Sequence, residues 1–256
     1  MGASNHFSDI EFLIDTAVTV SGVVSHFWDT GRSVVPMVAP LFQDHVGTGE
    51  FAAARAAFPL GVLALDAGAA PTLTDYDAEG APLPDDMGRL AAPLSQLLSD
   101  ELDGASRHLG VPAEVILLAA LGRTVQRTAG GGVLHVDLMV EGAGTVYGVG
   151  VPCVAPAEVD ATRLLAAVRA SIADVPCAGA EVAFSYTAGG RAAEVIPGLG
   201  HALELRAYRE AGVVALDWWY DTRQFEDYTV EELTEQFALA LIEVTSEAVP
   251  TALEVA

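Results

Sequence analysis

Seven consecutive apolar residues, Val115 to Leu121, lie within "PAEVILLAALGRTVQRT", and nothing else in the chain restricts its fold as much. The run falls far short of the ~20 residues that a membrane span needs. As a helix it is apolar nearly all round, so it belongs in a protein core. Pro112 stands near its first turn, where a missing N–H does no harm. The glycines at 130 to 132 end it, and "VLHVDLMVE" then alternates. Leu134, Val136, Leu138 and Val140 share one face, and Val133, His135, Asp137 and Met139 the other, as in a strand with one buried side. A core helix followed at once by such a strand implies helices layered on a sheet.

The rest of the pattern agrees. Leu94 to Leu109 reads as a helix with Leu94, Leu97, Leu98, Leu102, Ala105 and Leu109 on one side. "TVYGVGVP" reads as the neighbour of the alternating strand, joined through Gly142 to Gly144. Asp160 caps a helix that turns Leu164, Leu165, Val168 and Ile172 inward. Three strand-like runs follow, "AEVAFSYTA", "HALELRAY" and "GVVALDWWYD". A capping box at Thr229 and Glu232 opens a last helix with a face of Val230, Leu233, Phe237, Leu241 and Val244. Upstream, Ser8 and Glu11 form another capping box, before a helix that buries Ile10, Leu13, Ile14, Ala17, Val24 and Phe27. A short helix, "EFAAARAAF", stops at Pro59, and residues 61–86 read as loop with one strand at "GVLALD". The expected fold is α/β, a layered mixed sheet with flanking helices. An N-terminal helical and loop segment covers 1–57, and the main body covers 58–256.

Charge removes several functions. The sequence has 12 basic residues, all arginine, against 35 acidic ones, a net charge of −23. Without lysine, Schiff-base chemistry on a lysine is excluded. The surplus repels phosphate backbones and anionic membranes, so neither nucleic acid nor a membrane is an expected partner. An acidic carrier protein would feel the same repulsion within a Debye length of roughly 8 Å. Cys153 and Cys177 lack disulfide-framework and metal-ligand spacing and read as buried or half-buried thiols in a reducing cytoplasm. Asp9 and Glu11 stand where a signal peptide would be apolar, so the expected location is cytoplasmic. No HExxH, GxSxG, GxGxxG or P-loop pattern occurs, and no metal or cofactor is implied.

Four stretches, in order, resemble one family: "FPLGVLALDAGAAP", "SDELDGASRHLGVPAEVILLAALGRTVQRTAGG", "EVAFSYTAGG" and "LDWWYDTRQFEDYTVEEL". From about Phe58 to Ala248 the chain is similar to the C-terminal half of the condensation and epimerization domains of nonribosomal peptide synthetases, which have a chloramphenicol-acetyltransferase-like fold. The resemblance implies a half-domain of that fold, with a cleft between two half-domains or two subunits. It makes "LDWWYD" the last strand before the C-terminal helix. Trp218, Trp219 and Tyr220 then alternate faces, one set in the core and the other toward a cleft or the surface, which makes them, with Tyr186, candidates for substrate contact.

The family's HHxxxDG signature is missing. The nearest register, "SNHFSD", keeps an aspartate at Asp9 but puts Ser4 and Asn5 at the histidine positions, with His6 one place out. Two accounts stand: a decayed motif, or helix-start residues aligned by chance. "VEGAG" likewise lacks the arginine of epimerization-type relatives, since Ala143 and Thr145 occupy that stretch. His135 and Asp137 share a strand face and could act together in a cleft, so the catalytic candidates are His135, Asp137, His6 and Asp9. His26 and His45 read as packing or surface groups, and His108 and His201 carry no assignment.

These residues leave three functions open. The first is a degenerate condensation-type protein acting on a hydrophobic acyl, peptidyl or polyketide-like substrate, small or carrier-bound, by positioning or cyclisation. The second is a non-catalytic module that docks on a synthetase, carrier protein or partner subunit, with Arg206 and Arg209 as local cations. The third is acyl transfer at a homo-oligomer interface, with His135 or His6 as a substitute base.

Overall fold

The computed structural model describes residues 70–140, 145–172, 180–189 and 200–250. In chain order they form β1 (Met87–Ala91), α1 (Gln96–Leu109), α2 (Ala113–Thr128), β2 (Gly132–Val140), β3 (Thr145–Cys153), α3 (Ala161–Ser171), β4 (Val182–Thr187), β5 (Leu203–Glu210), β6 (Val213–Asp221) and α4 (Asp227–Glu247). The strands make one six-stranded mixed sheet in the order β1-β6-β5-β4-β2-β3. β2 and β3 form an antiparallel hairpin, β2 and β5 both run parallel to β4, and β6 pairs antiparallel with β5 and with β1. This is the α/β layered architecture that the sequence implies. The first helix, "GVLALD" and the boundary at 57/58 lie outside the described residues.

One face of the sheet shares its core with the helices. Leu134, Val136, Leu138, Val149, Val151, Val182, Phe184, Leu203, Leu205, Leu216 and Trp218 belong to the same buried cluster as the apolar faces of α1 to α4. α2 lies deepest: every residue from Val115 to Val125 is buried. It rests so close on β3 that a Cβ at Gly122 would stand 2.5 Å from the Pro152 carbonyl oxygen, which leaves glycine as the residue that fits. Arg123 is fully enclosed, donating to the carbonyls of Val154 and Val159 and lying 3.0 Å from Glu243 of α4.

Two details of the helices differ from the sequence expectation. α1 begins at Gln96, with the Ser95 hydroxyl accepting from Leu98 N at 3.1 Å. Its buried face then centres on Leu98 and Leu102 and leaves Leu97 69% exposed. α4 begins at Asp227, two residues before the expected cap. A distant carboxylate does the capping: Asp75 accepts from Glu226 N at 2.8 Å and from the Thr229 hydroxyl at 3.1 Å. The chain around Asp75 is itself tied down by its backbone N–H, which donates to the Gln224 carbonyl.

Asp221 closes the turn from β6 to α4. Its fully buried carboxylate accepts from Arg223 Nε at 3.0 Å and Nη2 at 2.7 Å, and from Gln224 Nε2 at 3.0 Å. The bonds from Arg223 outweigh burial and hold its pKa at about 2, below the usual 3.8. A carboxyl depressed in the folded state stabilises above its unfolded pKa and loses that contribution as pH falls through the folded value. Stability is therefore expected to fall by about 2 kcal/mol between pH 4 and pH 2 through this group. Asp221→Asn should remove that share of the acid limb in denaturant titrations at stepped pH. An unchanged acid limb in the variant would refute the assignment.

Among the described residues no single helix is long and apolar enough to cross a membrane.

Candidate functional site

The second face of the sheet is polar, and the strand register places its residues in rows. One row runs Gly148, Asp137, Ala183, Glu204, Trp219, Arg89; the next runs Val146, Met139, Ser185, Arg206, Asp217, Ala91. Charges pair across these rows. Arg89 Nη2 donates to both oxygens of Asp217 at 2.9 Å, and the Tyr208 hydroxyl donates to the same carboxylate at 3.2 Å. Arg206 Nε donates to Glu204 at 2.6 Å. Both guanidinium groups also approach the Trp219 ring, at 5.4 and 5.6 Å from its centroid, within cation–π range. At the β2 end of the rows Asp137 Oδ2 lies 2.9 Å from His201 Nε2. With only a methyl at Ala183 between Asp137 and Glu204, a side chain from just before β5 has room to reach β2.

His135 lies on the same face of β2 as Asp137 and is exposed, but the imidazole bonded to Asp137 is that of His201. The pairing follows from β4 standing between β2 and β5, an adjacency that spacing within a single strand does not reveal. His6 and Asp9 lie outside the described residues, as do His26, His45 and the "EGAG" turn. Trp219 projects from the polar face and is half-buried. Trp218 points the other way, fully buried and edge-on to Phe237 at 5.5 Å. Tyr220 is also on the core side, where its hydroxyl donates to Asp227 at 2.7 Å and burial, then that bond, push its phenol up to about 12. Arg206 and Arg209 do not form one patch. An odd spacing puts them on opposite faces of β5, and Arg209 pairs with Asp103 of α1.

Two cavities lie away from this face. Tyr186 lines one of about 450 Å³ with Asp103, Ser106, Val111, Glu114 and Arg169, at the C-terminal end of β4. The other, about 390 Å³, is an apolar groove between α1 and α4 lined by Leu94, Leu97, Leu98, Leu216, Ala238 and Ile242. Cys153 is buried in the core, and burial pushes its thiol up to about 12, so it supplies no nucleophile near neutral pH. Cys177 is outside the described residues. No cluster of three or more His, Cys, Asp or Glu side chains that could hold a metal ion occurs among the described residues.

Sequence reasoning misses His201, Arg89 and Asp217 as members of this face. For Asp217 a signal exists. In "LDWWYD" the residues Asp217, Trp219 and Asp221 alternate with Trp218 and Tyr220, which marks one polar and one apolar side.

Comparison with known proteins places this geometry. No family model matches the chain. A subunit of the phenolphthiocerol/phthiocerol polyketide synthase of Mycobacterium tuberculosis is 33% identical over 222 aligned residues, which take in 66% of this chain. The same synthase subunit from Mycobacterium bovis matches to the same extent. The chain spans 15% of the length of these relatives. Among solved structures, the epimerization domain from the third module of tyrocidine synthetase B superposes with a TM-score of 0.53 at 16% identity, covering 80% of this chain and 57% of that one. The chain therefore carries the fold of the condensation and epimerization domains of nonribosomal peptide synthetases.

Proposed function

We propose that this chain is a condensation-type protein of natural-product assembly, which holds a hydrophobic acyl, peptidyl or polyketide-like substrate, free or carrier-bound, against the polar face of the sheet. The 33% identity to part of a polyketide synthase, on an epimerization-domain fold, carries the reading. Trp219 supports it: a half-buried ring flanked by two guanidinium groups makes a rigid platform beside paired charges. With the family's histidine pair missing from the sequence, positioning supplies most of the rate, a contribution of about 7–11 kcal/mol in favourable systems. The compartment that suits this chemistry, and the reduced Cys153, is the cytoplasm.

The test is binding of octanoyl-pantetheine to the full chain, followed by tryptophan fluorescence and by calorimetry. Saturable binding is expected, and Trp219→Ala should weaken it about tenfold, the worth of one aromatic contact. Absence of binding to the wild-type chain would refute the reading.

One observation favours a second reading, a non-catalytic module that docks on a synthetase, carrier or partner subunit. The arginines of the polar face are each matched by a carboxylate, as they are in an interface that leaves few unpaired charges when covered. Native mass spectrometry separates the two. A defined homo-oligomer supports a shared cleft, whereas a tight one-to-one complex with a partner and no thioester binding supports the module.

A further inference from the structure

We infer that His201, oriented by Asp137, is the proton-transfer group of this face, in place of the histidine pair that the sequence lacks; the inference rests on the function proposed above. Among the described residues His201 is the imidazole bonded to a carboxylate, at 2.9 Å. With the carboxylate oxygen as acceptor, Nε2 carries the hydrogen of this bond and Nδ1 is the ring nitrogen left for a substrate. The pair is sheltered without being closed off. The imidazole is 21% exposed and the carboxylate 12%, so water competes weakly for the bond while a substrate can reach the ring. The other carboxylates of the rows, Glu204 and Asp217, accept from Arg206 and from Arg89 and are engaged there. Cys153 is inert near neutral pH, so among the described residues no thiol offers a covalent relay.

The chemistry that fits is attack on a thioester by a hydroxyl or amine. Nδ1 of His201 takes the proton of the attacking group as its oxygen or nitrogen bonds to the thioester carbonyl carbon. The carbon–sulfur bond then breaks, and the proton passes to the departing thiolate, which leaves as a free thiol. Asp137 acts through His201: it fixes the tautomer and steadies the imidazolium that forms in between.

Nitrogen-detected NMR of the histidine-labelled full chain, with His201→Gln to assign the signal, reads the tautomer directly. The Nε2–H form is expected in the wild type and a tautomer mixture in Asp137→Asn. On addition of octanoyl-pantetheine, the His201 ring signals should shift with the same half-saturation as the tryptophan fluorescence. With octanoyl-pantetheine and a primary amine as co-substrates, His201→Gln should lower kcat about 100-fold with little change in KM. Imidazole in the buffer should restore part of the rate to His201→Gly, and His108→Gln, on the exposed surface of α1, should behave as wild type. Thioester binding that leaves the His201 signals unmoved, or turnover undiminished in His201→Gln, overturns the inference and leaves the proposed function standing. Failure of the thioester to bind the wild-type chain overturns both.

Discussion

Glu243→Ala is expected to destabilise the folded chain by about 3–5 kcal/mol, because it strands a buried charge. The Arg123 side chain is fully buried in the middle of α2 and the Glu243 carboxylate is 11% exposed on α4. Their Nε and Oε1 atoms stand 3.0 Å apart without hydrogen-bond alignment, so the contact is an ion pair. Burial pulls the Arg123 pKa down, and Glu243 opposes it. The same guanidinium holds the Val154 and Val159 carbonyls, and Arg127 also pairs with Glu243, so one carboxylate links α2, α4 and the segment after β3. Urea unfolding followed by circular dichroism measures the loss. The double variant Arg123→Met, Glu243→Leu should recover much of it, since neither charge is then buried alone. A loss below about 1 kcal/mol in Glu243→Ala would show that water reaches the pair.

Trp218→Ala should cost about 3–5 kcal/mol, whereas Trp219→Ala should leave stability within about 1 kcal/mol. The two neighbours belong to different faces. Trp218 has no exposed surface and packs edge-on to Phe237, so truncation opens a cavity between sheet and α4. Its indole N–H has no hydrogen-bond partner among the described residues, and Trp218→Phe, which removes that buried donor, should therefore cost much less than alanine. Trp219 is half-buried, with its contacts on the polar face, so its loss should be read in binding more than in folding. Equal destabilisation by the two alanine variants would contradict this division of faces.

How much of the fold and of the polar face is legible in the sequence depends on the range of each interaction. The enclosure of α2 and the alternation of β2 are written in consecutive residues, and so is the resemblance that the fold matches. The start of α4 is misread from sequence because its cap comes from Asp75, more than 150 residues upstream; Thr229 and Glu232 look like a box only when that carboxylate is left out. Leu97 is misplaced because the helix starts later than its apolar residues suggest. Arg123 carries a usable signal: an arginine inside an otherwise apolar helix requires a buried acceptor, and α4 offers Glu243. His201 has none, since its partner is fixed by the parallel neighbours β2, β4 and β5, and strand order is not a local property.

The two arginine–carboxylate pairs of the polar face bear on association. A chain of net charge −23 keeps anionic molecules at a distance, over the range that salt leaves open. Along β1, β5 and β6 this face adds little to that field, because Arg89 and Arg206 are each matched by a carboxylate. Under the proposed function, an anionic substrate approaching this face meets little added repulsion from it. Residence on this face is decided by shape and the removal of water, and it should change little with ionic strength.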